Sequence, residues 1–178
     1  MVGQPAWRTL RVHARPGRRP HGGWLIAGGG RLAVALGRAG LKTLKREGDG
    51  ATPRGRFRLV RLWWRADAAG RPQTRLPVRR IGRSDAWCED PADRRYNRPI
   101  RLADGDAGDR LWRPDALYDL VVEIDHNCRP RVKGRGSALF IHVARPGLEP
   151  TAGCVALPAP ALRRLLARLS PKTRIKIG

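Results

Sequence analysis

Glycine and proline divide this chain into short pieces, and that division limits its fold more than any other feature. The 178 residues include 21 Gly and 15 Pro, spread along the whole sequence. Both residue types interrupt helices and mark turns. The apolar runs between them near the N-terminal end are only four or five residues long, at positions 9–12, 24–27 and 32–36. Runs of that length have the size of β-strands, so we predict a mainly β fold.

The later part of the chain gives the same kind of signal, with one helix. A turn-rich loop from residue 48 leads into an alternating strand near residue 57, and further strands are predicted at 117–124, 138–143 and 173–177. Leucines recur at helical spacing between residues 160 and 170, which predicts one amphipathic C-terminal helix. Residues 66–115 are polar and rich in Gly and Pro, so we predict a long, mostly irregular insertion with one or two strands. A length of 178 residues suits a single domain, 1–178.

The chain is strongly basic. It has 37 Lys and Arg against 15 Asp and Glu, a net charge of +22. Such a field attracts polyanions, including nucleic acid, an anionic membrane surface and anionic envelope polymers. The arginines are scattered rather than clustered, as a GC-rich genome would also produce. A basic nucleic-acid-binding module is therefore an alternative, although no helix-turn-helix, zinc-finger or RNP-like pattern supports specific nucleic-acid binding.

Several site classes and locations are disfavoured by missing patterns. No CxxC or HExxH predicts a metal site, no Gly-rich phosphate loop predicts a nucleotide, and no GxSxG predicts a serine nucleophile, so no cofactor is expected. No apolar run is long enough to span a membrane, and the basic N-terminal stretch lacks the apolar core of a signal peptide. Cys88 and Cys128 are treated as free thiols, with a disulfide between them left open. The oligomeric state is not predicted.

One cysteine lies in a context that favours catalysis. Residues 141–157 read IHVARPGLEPTAGCVAL, which places His142 at the end of a predicted strand and Cys154 directly after Gly153. An imidazole takes the proton of a nucleophilic thiol, and a glycine turn aims backbone N–H groups at an oxyanion. The alternative is a cysteine simply buried in the core. His126, which follows another strand, is a candidate site-lining residue.

These residues resemble a known family. The segment 141–157 is similar to the catalytic motif of L,D-transpeptidases, the YkuD-type domain, in which a strand ending in His precedes [S/T]xGC[IV]. Residues 45–59, which include TPRGRF, resemble the family's Gly-, Thr- and Pro-rich loop. The stretch KGRGSALFIH resembles the strand before the family histidine, and residues 87–97 resemble a subgroup with a WC.DP...YN segment. The resemblance extends from about residue 9 to residue 178.

The resemblance implies a YkuD-like mixed β-sandwich and acyl transfer on peptidoglycan stem peptides through a cysteine thioester. Cys154 would be the nucleophile, His142 the base and Gly153 part of the oxyanion hole. The location it implies is the periplasm or cell envelope, and a carboxypeptidase-like hydrolase of the same fold is an alternative, as is a catalytically silent wall-binding domain. The candidate substrate-binding residues are Thr151, Ser137, Arg145, His126, Tyr96 and Asn97.

Two departures from the family pattern concern the fate of the acyl group. Val143 follows the histidine where many members have Gly, and Ala156 stands two positions after the cysteine where many have Arg. The arginine that would contact the substrate carboxylate is therefore missing from its usual place. Arg145, or Arg98 in the long insertion, is a candidate replacement, and transfer and hydrolysis both stay open.

Overall fold

The computed structural model describes residues 5–17, 19–68, 70–103 and 108–178. Within these ranges the predicted mainly β fold with one helix near the C-terminus is confirmed. The first seven strands are β1 (Thr9–Ala14), β2 (Gly22–Ala27), β3 (Gly30–Ala35), β4 (Leu41–Lys42), β5 (Thr52–Pro53), β6 (Gly55–Trp64) and β7 (Val78–Arg80). They are followed by β8 (Asp85–Cys88), β9 (Arg98–Arg101), β10 (Asp109–Arg110), β11 (Leu120–Ile124), β12 (Phe140–Val143), β13 (Val155–Leu157), α1 (Ala159–Leu166) and β14 (Arg174–Ile177).

The largest sheet closes on itself. Nine strands pair in the order β11-β12-β13-β3-β2-β1-β14-β6-β7, and β6 also pairs with β11. Eight strands therefore form a closed, barrel-like wall, with β7 added at the side of β6. Closure removes exposed strand edges, which are otherwise sites of aggregation. The predicted runs at 9–12, 24–27 and 32–36 are β1, β2 and β3, joined as an antiparallel meander.

Alternate residues of each wall strand point into the core. In β1, Leu10 and Val12 are fully buried inside, while Arg11 between them is exposed. The helix α1 adds Leu162, Leu165 and Leu166 to the same core. Burying a leucine stabilises a fold by about 1.5–3 kcal/mol, so this amphipathic face fixes the helix to the barrel. The predicted helix at 160–170 is thus present, and it ends at Leu166.

The insertion has more strand than the sequence indicates. Four short strands, β7 to β10, lie between residues 66 and 115, and three of them form a separate sheet in the order β10-β8-β9. This sheet covers the outside of the barrel wall with a second apolar cluster. Trp87 of β8 packs edge-on against Phe140 of β12, with ring centroids 5.1 Å apart, and against Trp63 of β6 at 6.4 Å. Strands of two to four residues are too short for alternation to reveal them.

Candidate active site

Cys154 and His142 face outward on two paired strands of the barrel wall. In β12, Ile141 points into the core, while Phe140 and His142 point toward the insertion. The parallel pairing of β12 with β13 sets Ile141 opposite Val155 and His142 opposite Ala156. Cys154 directly precedes Val155, which points inward, so its side chain and that of His142 are on the same outer face. A short strand, β13, lies between Cys154 and α1.

The imidazole of His142 is held in one tautomer. Its Nδ1 lies 2.8 Å from the carbonyl oxygen of Val143, which can only accept a hydrogen bond. Nδ1 therefore carries the proton, and Nε2 keeps a free lone pair. Burial lowers the pKa of His142 to about 4. The imidazole is neutral at neutral pH and is a base ready to accept a proton.

The thiol of Cys154 is also neutral at rest. Burial raises its pKa to about 12, and its Sγ donates a hydrogen bond to the carbonyl oxygen of Ala138 at 3.2 Å. Ala138 has a left-handed φ of 49°, which a residue with a Cβ adopts only under constraint. Its N–H donates to Oδ1 of Asn97 at 3.2 Å. A side chain from the insertion thus fixes the carbonyl that holds the thiol.

Gly153 has a structural reason to be glycine. Its φ is +151°, and a Cβ there would lie 2.9 Å from the carbonyl oxygen of Ala51. Its N–H donates to Thr151 Oγ1 at 3.1 Å, and that hydroxyl donates to the carbonyl oxygen of Cys154 at 2.7 Å. Thr151 therefore ties the turn before Cys154 together. The Gly153 N–H already has an acceptor, which leaves the Cys154 N–H as the better candidate for an oxyanion donor.

A pocket of about 500 Å³ opens over Cys154. It lies between the barrel wall and the insertion, and its lining includes six of the residues predicted from the sequence: Ser137, His142, Arg145, Thr151, Gly153 and Cys154. Ala156, at the position of the missing family arginine, is also in the lining, directly opposite His142. Three arginines line the pocket, Arg38, Arg113 and Arg145, while Arg98 is outside it in β9.

Three predicted substrate-binding residues are outside this lining, because internal contacts take up their polar groups. Asn97 is buried, and its Oδ1 accepts a hydrogen bond from Trp87 Nε1 at 3.0 Å. Its Nδ2 donates to the backbone carbonyl oxygens of His126 and Asn127. Tyr96 is buried, and its hydroxyl donates to Glu47. His126 Nε2 lies 3.0 Å from the carbonyl oxygen of Arg135. The structure places these three behind the pocket wall.

A cluster of Tyr118, Asp109 and Arg113 lies beside the thiol and was not predicted from the sequence. The ring of Tyr118 packs edge-on against His142, with centroids 5.4 Å apart, and its hydroxyl donates to Asp109 Oδ2 at 2.7 Å. Arg113 lies 3.4 Å from the other oxygen of Asp109. Burial raises the pKa of both Tyr118 and Asp109. The sequence carries only a weak signal for this group. Asp109 lies in the polar insertion, and Tyr118 lies in the strand predicted at 117–124.

Two further charged groups line the pocket. Lys45 is buried and pairs with Asp49 at 2.6 Å. Desolvation, with smaller contributions from Asp109 and Glu47, raises the pKa of Glu89 to about 7. The pocket lining therefore contains both basic and acidic side chains.

The described ranges contain neither a cluster of metal-ligating side chains nor a disulfide bond. No group of three or more His, Cys, Asp or Glu side chains there is arranged to hold a metal ion. Cys88 and Cys128 are free thiols, as predicted from the sequence, and so is Cys154. In the same part of the chain, no helix is both long and apolar enough to cross a membrane.

The low pKa of His142 predicts a pH-dependent loss of stability. Its pKa is 6.5 in the unfolded chain and about 4 in the folded protein, so the unfolded state takes up the proton first as the pH falls. The free energy of unfolding of the wild type should drop by about 3 kcal/mol relative to that of His142→Gln between pH 6.5 and 4. Urea titrations of both proteins at several pH values measure this difference in free energy of unfolding. Glu89, whose raised pKa has the opposite effect on stability, is present in both proteins, so its contribution cancels. A difference that stays constant with pH would contradict the burial of a neutral imidazole.

Comparison with known proteins identifies a family for nearly the whole chain. The family model of the YkuD L,D-transpeptidase catalytic domain matches residues 10–177 of the chain. No curated protein and no solved structure matches it significantly. The match covers both the barrel strands and the insertion over the pocket.

Proposed function

The chain belongs to the YkuD L,D-transpeptidase catalytic domain family, and from that premise we propose that it is a cysteine acyltransferase acting on peptidoglycan stem peptides. The main support is the arrangement of Cys154 and His142 on one outer face of paired strands, lining one pocket. His142 Nδ1 is fixed by the Val143 carbonyl, so Nε2 is the basic atom. A nucleophile, an oriented base and a peptide-sized pocket are the parts that acyl transfer needs.

The proposed reaction has two acyl-transfer steps. Cys154 Sγ attacks the carbonyl carbon of the L-centred third stem residue, and His142 Nε2 accepts the thiol proton. The tetrahedral oxyanion receives a hydrogen bond from the Cys154 N–H. Its collapse breaks the peptide bond, and His142 gives the proton to the amine of the departing D-alanine. An amine or water then attacks the thioester, and His142 again accepts a proton. Collapse breaks the C–S bond, and His142 returns the proton to the departing Cys154 thiolate.

The resting pKa values imply that the substrate takes part in activation. With pKa values of about 12 for Cys154 and about 4 for His142, the neutral pair is strongly favoured over thiolate and imidazolium at neutral pH. We therefore propose that proton transfer accompanies attack on the carbonyl rather than preceding it. The thiol first leaves its hydrogen bond with the Ala138 carbonyl. We propose that substrate binding in the pocket drives this rotation.

Two arginines are proposed to bind the stem-peptide carboxylate in place of the family arginine. Arg113 is held by Asp115 at 2.6 Å and Asp109 at 3.4 Å. Arg145 is only loosely paired with Glu149 at 3.9 Å, and Arg38 has a long hydrogen bond of 3.4 Å to a backbone carbonyl. The guanidinium groups of Arg145 and Arg38 are thus the ones available to donate two parallel hydrogen bonds to a carboxylate. Because peptidoglycan is part of the cell envelope, we also propose that the protein acts there.

The test is a single-turnover experiment with a disaccharide tetrapeptide. We expect release of D-alanine, and a covalent adduct of the disaccharide tripeptide acyl group that peptide mapping assigns to Cys154. A tetrapeptide ending in L-alanine is the stereochemical control. Crosslinked dimers indicate transfer, and free tripeptide indicates the hydrolase alternative. Absence of both D-alanine and adduct would refute the proposal.

A further inference from the structure

Five neighbouring strands of the barrel wall share a strongly basic outer surface. The strands are β3, β2, β1, β14 and β6 in spatial order. Their inward residues form the core, and their outward residues are largely exposed. We call this surface the basic face, and it consists of Arg11, Trp24, Ile26, Arg31, Arg56, Arg58, Arg174 and Lys176. None of these residues lines the pocket over Cys154.

The strand register aligns four cations in one row. Across five strands the directly paired positions are, in order, Arg31, Ile26, Arg11, Lys176 and Arg56. Adjacent strands lie about 4.8 Å apart, so the row extends for roughly 19 Å. A second row beside it pairs Arg174 with Arg58. The charges are therefore ordered by the sheet itself rather than placed on loops.

Among the described residues, the basic face has few negative charges to offset its positive ones. The five strands contain no Asp or Glu. Among the residues that the structure describes, none of the six basic side chains of the face is within ion-pair distance of a carboxylate. Asp125 reaches the edge of the face, where it accepts a hydrogen bond from the Arg58 N–H at 2.6 Å. Like charges held this close repel one another, so an anionic partner relieves a cost that the free protein carries.

Apolar groups lie within the same surface. Ile26 is 37% exposed, although it stands between Arg31 and Arg11 in the first row. Next to it, the guanidinium groups of Arg31 and Arg15 lie over the ring of Trp24, 4.5 and 5.1 Å from its centroid. Both are cation–π contacts, and they hold the two arginines beside the indole. Basic, aromatic and aliphatic side chains thus occur together on one sheet face.

We propose that the basic face binds the surface of an anionic lipid bilayer. Phosphate headgroups match the rows of guanidinium and ammonium groups, while Trp24 and Ile26 suit the boundary between headgroups and acyl chains. Nucleic-acid strands also bind to sheet faces, where exposed aromatic rings stack on the bases. Here, stacking of bases is hindered, because arginines already cover Trp24. The inference concerns residues outside the catalytic pocket and does not depend on the proposed reaction.

The test compares two variants with the same change in charge. The face variant carries Arg11→Gln, Arg31→Gln and Lys176→Gln, and the control carries Arg94→Gln, Arg129→Gln and Arg135→Gln at exposed positions elsewhere. Each is titrated with vesicles of phosphatidylcholine alone and of phosphatidylcholine with phosphatidylglycerol. Each basic residue near an anionic bilayer strengthens binding about fivefold. We expect the face variant to bind the anionic vesicles about 100-fold more weakly than the wild type.

The outcomes distinguish binding through the basic face from binding through the net charge of the whole protein. The control variant should stay within a few-fold of the wild type. Inorganic phosphate added at constant ionic strength should not displace the vesicles, and Ile26→Ser should bind them more weakly than the wild type at constant charge. Equal losses in the two triple variants would overturn the proposal, because net charge alone would then explain binding. The proposal would also be overturned if the wild type did not bind anionic vesicles, whether or not it bound duplex DNA through the same residues. Circular dichroism verifies that each variant is folded.

Discussion

Cys154→Ala is expected to lower the rate of D-alanine release from a disaccharide tetrapeptide by at least about 10³-fold, because no other nucleophile replaces the missing sulfur. The substitution removes the atom that forms the thioester while keeping a small side chain in the pocket. Chromatographic measurement of D-alanine release gives the rate, and intact-mass spectrometry detects the adduct. Both signals should disappear together.

The matched control is Cys128→Ala. Cys128 is half-buried, lies outside the pocket, and its thiol donates only to the carbonyl oxygen of His126, at 3.3 Å. The Cys128→Ala variant should therefore turn over substrate at nearly the wild-type rate and still form the adduct. Thermal melts of both variants verify folding. If Cys154→Ala still releases D-alanine at the wild-type rate, Cys154 is not the nucleophile and the family match describes the fold alone.

The sequence was sufficient for those parts of the molecule that rest on local patterns. The strands β1, β2 and β3 follow from apolar runs bounded by glycine, and α1 follows from leucines at helical spacing. The prediction that His142 and Cys154 act together also has a local basis. They are twelve positions apart, His142 at the end of a predicted strand and Cys154 directly after a glycine. Each of these signals lies within one short stretch of chain.

The remaining features depend on contacts between distant segments. Asn97 was expected to touch substrate, yet in the structure it accepts from Ala138 N–H, 41 positions away, and so supports the carbonyl bonded to Cys154. Tyr118 reaches the site only because β11 places it beside the outward face of β12. Short polar strands in the insertion give no period that would locate their partners. Such pairings are set by tertiary packing, which a single sequence does not encode in any local pattern.

His142→Gln is expected to lower the rate of thioester formation by about 10²- to 10⁴-fold, the usual contribution of a positioned general base. Glutamine approximates the size of imidazole and can still donate to the Val143 carbonyl, but it cannot accept the thiol proton. The pKa of Cys154 is about 12, so without a base the thiolate is scarce at neutral pH. Single-turnover rates measured across the pH range test this.

The pH profile distinguishes a lost base from a damaged pocket. If the role of His142 is proton transfer, the rate of His142→Gln should rise with hydroxide concentration through alkaline pH, since solvent must then supply the thiolate. The wild-type rate should depend much less on pH there. Adduct formation by the variant should also keep the preference for D-alanine over L-alanine at the leaving position, because the pocket is unchanged. A variant as fast as the wild type at neutral pH, or one whose low rate does not respond to pH, would contradict the assignment of His142 as the base.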